Sequence, residues 1–233
     1  MPGHRLRWAA AGLVSVALAA ASATAASAVP SIGSASVSAA RGYAATSTAL
    51  GTKSLAWVLL ADGNTFDHNW YDYDIVTEAV LAVLAAPGKD NSTVKALTDG
   101  TLPLTAFLPN DRAFQVLVAD LTGNWLASEE EVLAALASLG IAAVEAVLRY
   151  HVVPGATIDS RTALASEGAR LATALPGAGF TVDVLSKRWK IIRLSDSDPD
   201  DINPYVNPWA LDINKGNVQI AHGITFVLRP VNL

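Results

Sequence analysis

One histidine, His151, stands between Tyr150 and the pair Val152-Val153, just ahead of a forced turn at Pro154-Gly155. An imidazole there can serve as a catalytic base, a metal ligand, a binding group or a buried structural group. The spacing around it narrows the choice. Val144, Val147, Leu148 and His151 recur at helical intervals, so His151 closes the apolar face of a helix. His222 falls in a strand pattern, sharing one face with Val218, Ile220, Ile224, Phe226 and Leu228. Gln219, Ala221, Gly223, Thr225, Val227 and Arg229 alternate onto the other face. Two imidazoles on two inward faces read as buried core groups whose ring nitrogens are hydrogen-bonded within the fold.

Other chemistry is thinly represented. The chain has no cysteine, and it contains no G-x-S-x-G, H-E-x-x-H, P-loop or G-x-G-x-x-G. A hydrolase built from scattered Ser, His and Asp, or a pair of glycosidase carboxylates, ranks third among the functional readings. Two stretches combine acids, amides and aromatic rings: "DGNTFDHNWYDYD" at 62–74 and "SDSDPDDINPYVNPW" at 195–209. Solvated loops rich in turn-forming Asx and Pro explain both at the simplest level. Asp196, Asp198 and Asp200 have the first three spacings of a calcium loop, but Asp201 and Asn207 stand where Gly and Glu belong. His68 beside Asp67 and Asp72 offers a single imidazole to a transition metal. No metal or cofactor is assigned. Carbohydrate is the third option, with Trp70, Tyr71, Tyr73, Tyr205 and Trp209 as stacking rings and Asp67, Asp72 and Asn207 as polar partners. Against it stands the possibility that these rings close the ends of the domain.

The elements that position these residues follow from pattern. Residues 1–28 have the basic start, Ala-rich apolar run and Ala-x-Ala sites of a secretory signal peptide cleaved near Ala28. Its removal takes Arg5 and Arg7, leaving 14 basic against 21 acidic residues and a net charge near −7. That balance disfavours nucleic acid and anionic lipid as partners. No transmembrane segment is expected in the mature chain. Residues 29–53 read as a flexible Ala/Ser/Gly-rich leader, and 54–233 as the folded domain. Helices are expected over "SLAWVLLAD", over "DIVTEAVLAVLAA" capped by Asp74, and over "RAFQVLVAD" capped by Asn110 or Asp111. Two more are "SEEEVLAALASLG", with a Ser128–Glu131 capping box and Gly140 as its stop, and "IAAVEAVLRYH". Strands are expected over "TAFLPND", "FTVDVL", "KIIRL" and "NVQIAHGITFVL". Helices dominate the first half and strands the second, which gives an α+β fold.

Three boxes in order carry a family resemblance. Thr105, Phe107, Pro109, Ala113 and Phe114 fit T-x-F-x-P-x-x-x-A-F. "YHVVPG" at 150–155, ending in Pro154-Gly155, fits a second box residue for residue. His222, Ile224, Val227, Leu228 and Pro230 fit a third, which here lacks an Asn-Gly pair and places Gly223 after the histidine. Across residues 54–233 the chain resembles the fasciclin domain family. The resemblance implies a β-wedge of two small sheets flanked by a layer of helices, and a noncatalytic adhesion or interaction module. It also implies that Tyr150 and His151 take part in receptor binding, if the Tyr150 ring is exposed. The partner expected is an extracellular protein or glycan surface. The alternative is a small-ligand or glycan-binding protein that uses the two aromatic-acidic loops.

Overall fold

The computed structural model describes residues 49–88 and 92–232. The expected signal peptide, and the leader up to residue 48, lie outside the described residues. The fold is organised about one strand, β1 (Leu104–Pro109), buried at all six positions. It pairs antiparallel with β2 (Val152–Pro154) and parallel with β6 (Gln219–Ile224), giving the order β2-β1-β6. Leu104, Ala106 and Leu108 join the core beneath the helices, while Phe107 joins a second core on the opposite face. That alternation is the period of two of a strand covered on both sides. The cover on the second face is an antiparallel sheet of β3 (Arg170–Ala172), β4 (Gly179–Ser186) and β5 (Ile191–Ser195). Phe180, Val182, Ile192 and Leu194 from this sheet pack with Phe107, Tyr150, Ile224 and Leu228.

The helical layer comprises α1 (Leu55–Leu59), α2 (Asp74–Ala85), α3 (Asp111–Thr122), α4 (Glu129–Ser138) and α5 (Ile141–Tyr150), with α6 (Ser160–Ala165) after β2. Their starts follow local chemistry. The Asn110 side chain accepts from Ala113 N at 3.0 Å and caps α3. Ser128 and Glu131 form the reciprocal capping box of α4. One expectation needs correction. Asp74 does not cap α2; it is the first helical residue, and Tyr73 holds the cap position without a side-chain bond. Gly140 stops α4 as expected: it follows the C-cap Leu139, its N–H bonds Ala137 O at 3.0 Å, and with φ at +88° it also starts α5. No single helix among the described residues is long and apolar enough to cross a membrane.

The final strand also differs from the expected pattern. It ends at Ile224, and all six of its residues are buried, so no face is polar. The reason is position: Ala221 packs under the helices while His222 and Ile224 meet the second sheet. Gln219 is the cost of burying that nominally polar side. Its Oε1 accepts from Leu55 N at 2.8 Å, and its Nε2 donates to the carbonyls of Ala96 and Asp99, both at 2.7 Å. It thereby ties α1 and the turn before β1 to the strand. Nearby, Gly51 N donates to Gly216 O and Val218 N to Gly51 O, both at 2.8 Å. Residues 51–53, assigned to the leader by composition, are therefore hydrogen-bonded to the approach to β6.

Replacing Gln219 with Leu leaves Leu55 N without its acceptor, while the Ala96 and Asp99 carbonyls keep their backbone donors, Asp99 N and Leu102 N. Unfolding in denaturant should show a loss of about 2 kcal/mol. A midpoint equal to that of the unsubstituted protein would contradict this account of β6.

Candidate functional site

The YHVVPG segment runs from the last turn of α5 through β2. Tyr150 is fully buried, its hydroxyl 3.1 Å from Gly179 O and 3.2 Å from Ser197 Oγ. The condition for its binding role, an exposed ring, is not met. His151 is also buried, and its two nitrogens have different partners. Leu228 N, which can only donate, lies 2.9 Å from Nε2. The proton therefore sits on Nδ1, which donates to Val147 O at 2.8 Å. Burial pushes the His151 pKa down to about 4, so the ring is neutral at physiological pH. His222 takes the other tautomer: Asp212 N donates to Nδ1 at 3.3 Å, and Nε2 donates to Ile158 O at 2.8 Å. Burial lowers its pKa as well. The remaining motif residues serve the same seam. Thr105 Oγ1 donates to Ala156 O and accepts from Ile158 N, both at 2.8 Å. Phe107 meets Phe180 edge-on at 5.1 Å and lies 5.8 Å from the His222 ring. Pro109 ends β1, Phe114 fills the helical core, and exposed Gly155 takes φ +80° while its N–H bonds Pro103 O. A cleft of about 510 Å³ opens beside this turn, lined by Leu102, Leu104, Val152, Pro154 and Thr173; none of the five loop aromatics lines it.

The two aromatic-acidic loops meet at Gly223. Asn207 N donates to Gly223 O and Gly223 N to Ala210 O, both at 2.8 Å. A Cβ on Gly223 would collide with the Tyr73 hydroxyl and lie 2.7 Å from Ala210 Cβ. The glycine that departs from the family pattern is thus what lets Tyr73 and the 207–210 turn come together. The rings then divide by exposure. Trp70 and Tyr73 pack against the helical core. Burial, aided by Asp72 and Asp111, pushes the Tyr73 hydroxyl up to about 12. Tyr205 is half-buried, and its backbone bridges Arg193 of β5 and Thr225 after β6, which joins the two sheets. Tyr71 and Trp209 stand out, 77% and 96% exposed.

The acids of the two loops have separate fates. In the second loop, the Arg229 guanidinium approaches one of the three spaced aspartates, Asp198. Buried Arg229 lies 2.8 Å from Asp120, 2.7 Å from Asp201 and 3.5 Å from Asp198, and its N–H donates to Asp196 at 2.7 Å. In the first loop, His68 is exposed and its backbone N–H, not its ring, reaches Glu129 Oε2 at 3.2 Å. Beneath it, Asp72, Asp111 and Glu129 each bring a carboxylate oxygen within 4.8 Å of the others. Asp111 opens α3, Glu129 opens α4, and Asp72 lies two residues ahead of α2. Burial first, then the neighbouring Asp72 carboxyl, push Asp111 up to about 8, and burial raises Glu129. Asp111, Glu129 and Arg229 were not singled out as site residues from sequence. The readable signal was that two of them follow helix caps, Asn110 and Ser128.

Helices on one face of a mixed sheet, a second sheet on the other, and aromatic loops gathered at the end of the last strand define an α+β interaction domain. The chain belongs to the fasciclin family: the model for the Fasciclin domain matches residues 81–226. Fasciclin domains are adhesion and interaction modules of extracellular proteins. Among solved structures, a FAS1 domain pair from the insect cell adhesion molecule Fasciclin I is similar at 15% identity, with a TM-score of 0.43. That similarity covers 67% of this chain and 49% of the other, so this chain spans about half the length of that pair. No curated protein matches the sequence.

The neutral His151 makes stability depend on pH with a definite sign. Its folded pKa, about 4, lies below the ordinary imidazole value of 6.5. The unfolded chain then binds more protons between those values, and stability falls as pH drops through that window, by about 3 kcal/mol in total. Asp111 works oppositely: its folded pKa is raised, so stability is gained as pH falls from about 8 toward 4. The His151 contribution is therefore read from the difference between the protein and His151→Gln. That difference should shrink as pH falls from 6.5 to 4 in urea melts, and a constant difference would show that the folded ring takes up its proton as readily as the unfolded one.

Proposed function

We propose that this chain is an exported, noncatalytic adhesion module that engages an extracellular protein or glycan surface through Tyr71 and Trp209. The observation that carries the reading is the contact at Gly223, which joins the two loops while leaving these two rings in solvent. Tyr71 lies two residues from Tyr73, and Trp209 directly precedes Ala210. At 3.8 Å per Cα step, each is anchored within about 8 Å of chain from the contact. Large rings on braced loops supply contact area at low ordering cost, and they are the usual anchors of binding surfaces. Asn207, whose Oδ1 accepts from Trp209 N at 3.0 Å, steadies the second ring. The imidazoles of the YHVVPG box and the last strand act in this reading as internal ties that hold the display. Export rests on the signal-peptide pattern of residues 1–28, with 29–50 as a spacer ahead of the bonded residues 51–53.

A screen of the mature chain against glycans and extracellular proteins supplies the ligand. Tyr71→Ala and Trp209→Ala should then each weaken binding about tenfold or more, with melting midpoints unchanged. Trp70→Ala should behave oppositely, losing about 2 kcal/mol of stability because its ring packs on the core. Binding that survives both exposed substitutions would rule out this face. Mass spectrometry of the secreted product should find Val29 at or near the N-terminus. An intact Met1 on a membrane-embedded product would contradict export by a cleaved signal.

A further inference from the structure

We infer that Asp72, Asp111 and Glu129 form a binding site for a hard divalent cation, with calcium as the fitting ion. The inference is independent of which partner the domain binds. It starts from atoms rather than from the count of acids. Asp111 Oδ1 accepts from Ile75 N at 3.0 Å, and Glu129 Oε2 accepts from His68 N. These bonds fix both side chains and turn their other oxygens inward. Asp111 and Glu129 are 0% and 1% exposed, yet Glu129 Oε1 has no hydrogen-bond partner, and the buried Asp111 Oδ2 and Asp72 Oδ1 meet no donor beyond a proton shared between their own two carboxyls. Buried carboxylate oxygens without donors are costly. The positive ends of three helices draw the carboxylates to this place, but no N–H reaches those three oxygens. Basic side chains do not answer them either: no ion pair among the described residues includes these acids. Arg112, the nearest in sequence to Asp111, is engaged with Gln115 at 2.8 Å and with the Trp125 ring at 4.5 Å.

Ligand chemistry selects the ion. Two oxygens on one calcium are separated by at most twice the metal–oxygen distance, about 4.6–5.2 Å, and the three carboxylate oxygens lie within 4.8 Å of one another. Magnesium gives up its water reluctantly, so a site of three protein carboxylates suits calcium better. Oxygen-only donors exclude a preference for soft metals. Asp72 is only half-buried, which leaves an open side for the water ligands that complete calcium coordination. The backbone already frames the site: Asp111 N donates to Asp72 O at 3.2 Å and Arg112 N to Trp70 O at 2.8 Å. A bound ion would lock the loop that carries Tyr71 onto the starts of α3 and α4.

The test uses the full secreted chain, stripped with chelator, then given calcium chloride or magnesium chloride alone. Calcium at hundredfold excess over its Kd should raise the melting midpoint by about 5–10 °C, with a smaller rise for magnesium. Glu129→Gln and Asp72→Asn should abolish the calcium response. In chelator, both should melt at or above the unsubstituted protein, because each relieves repulsion among unpaired carboxylates. Calorimetric titration of the unsubstituted protein reads binding directly, whatever the variants do. A midpoint and a titration indifferent to calcium would overturn the site. A calcium response retained by both variants would overturn it equally, by placing the ion elsewhere.

Discussion

The last strand is buried on both faces, and every polar group on it or near it must be satisfied from within the protein. That constraint shapes the domain. Gln219 answers it toward the helices by holding Leu55 and the carbonyls of Ala96 and Asp99. His222 answers it toward the second sheet by joining Ile158 to Asp212. Past the strand, His151 receives the Leu228 amide, and Arg229 gathers Asp120, Asp198 and Asp201. Each tie joins segments far apart in the chain, so the strand acts as the common partner of helices, loops and both sheets. A buried imidazole suits such a post because its neutral form donates at one nitrogen and accepts at the other. Its desolvation keeps it neutral and removes it from acid–base chemistry near neutral pH.

The same strand sets where a surface can form. With His151, His222 and Tyr150 committed inside, the exposed rings of the two aromatic-acidic loops, Tyr71 and Trp209, lie close to where those loops converge at Gly223. The missing side chain at that position admits Tyr73 from one loop and Ala210 from the other. Beneath the first loop, Trp70 and Tyr73 pack against the helical core, and the start of α3 bonds the loop backbone at Asp72 and Trp70. Display of Tyr71 and Trp209 therefore depends on interior packing at one strand end, not on the loops alone.

Much of the architecture was legible in the sequence, because periodicity and caps act locally. The capping box at Ser128, the Asn110 cap and the apolar faces of the helices appear where residue spacing puts them. So does the burial of both histidines. What spacing could not show was that β6 is covered twice, since alternation reports one inward face and Gln219 and Arg229 look like surface residues by type. The divided fates of the loop aromatics were equally hidden: Trp70 and Trp209 have the same side chain, and only tertiary contact separates the packed ring from the exposed one. The acidic cluster escaped for the same reason, because Asp72, Asp111 and Glu129 are brought together by three helices that are distant in sequence. The aspartates that did show a ligand-like spacing part ways: Asp196 takes the Arg229 backbone N–H, Asp198 lies 3.5 Å from its guanidinium, and Asp200 accepts from Asn232.

The central claim is that the imidazole of the YHVVPG box is a neutral internal tie and not a reactive or ligand-facing group. Nitrogen-15 NMR of the His151 ring tests it most directly. The account predicts a proton on Nδ1, a bare Nε2 that accepts from the Leu228 amide, and no change in either signal until the pH approaches about 4. A ring that titrates near 6.5, or that carries its proton on Nε2, would contradict it.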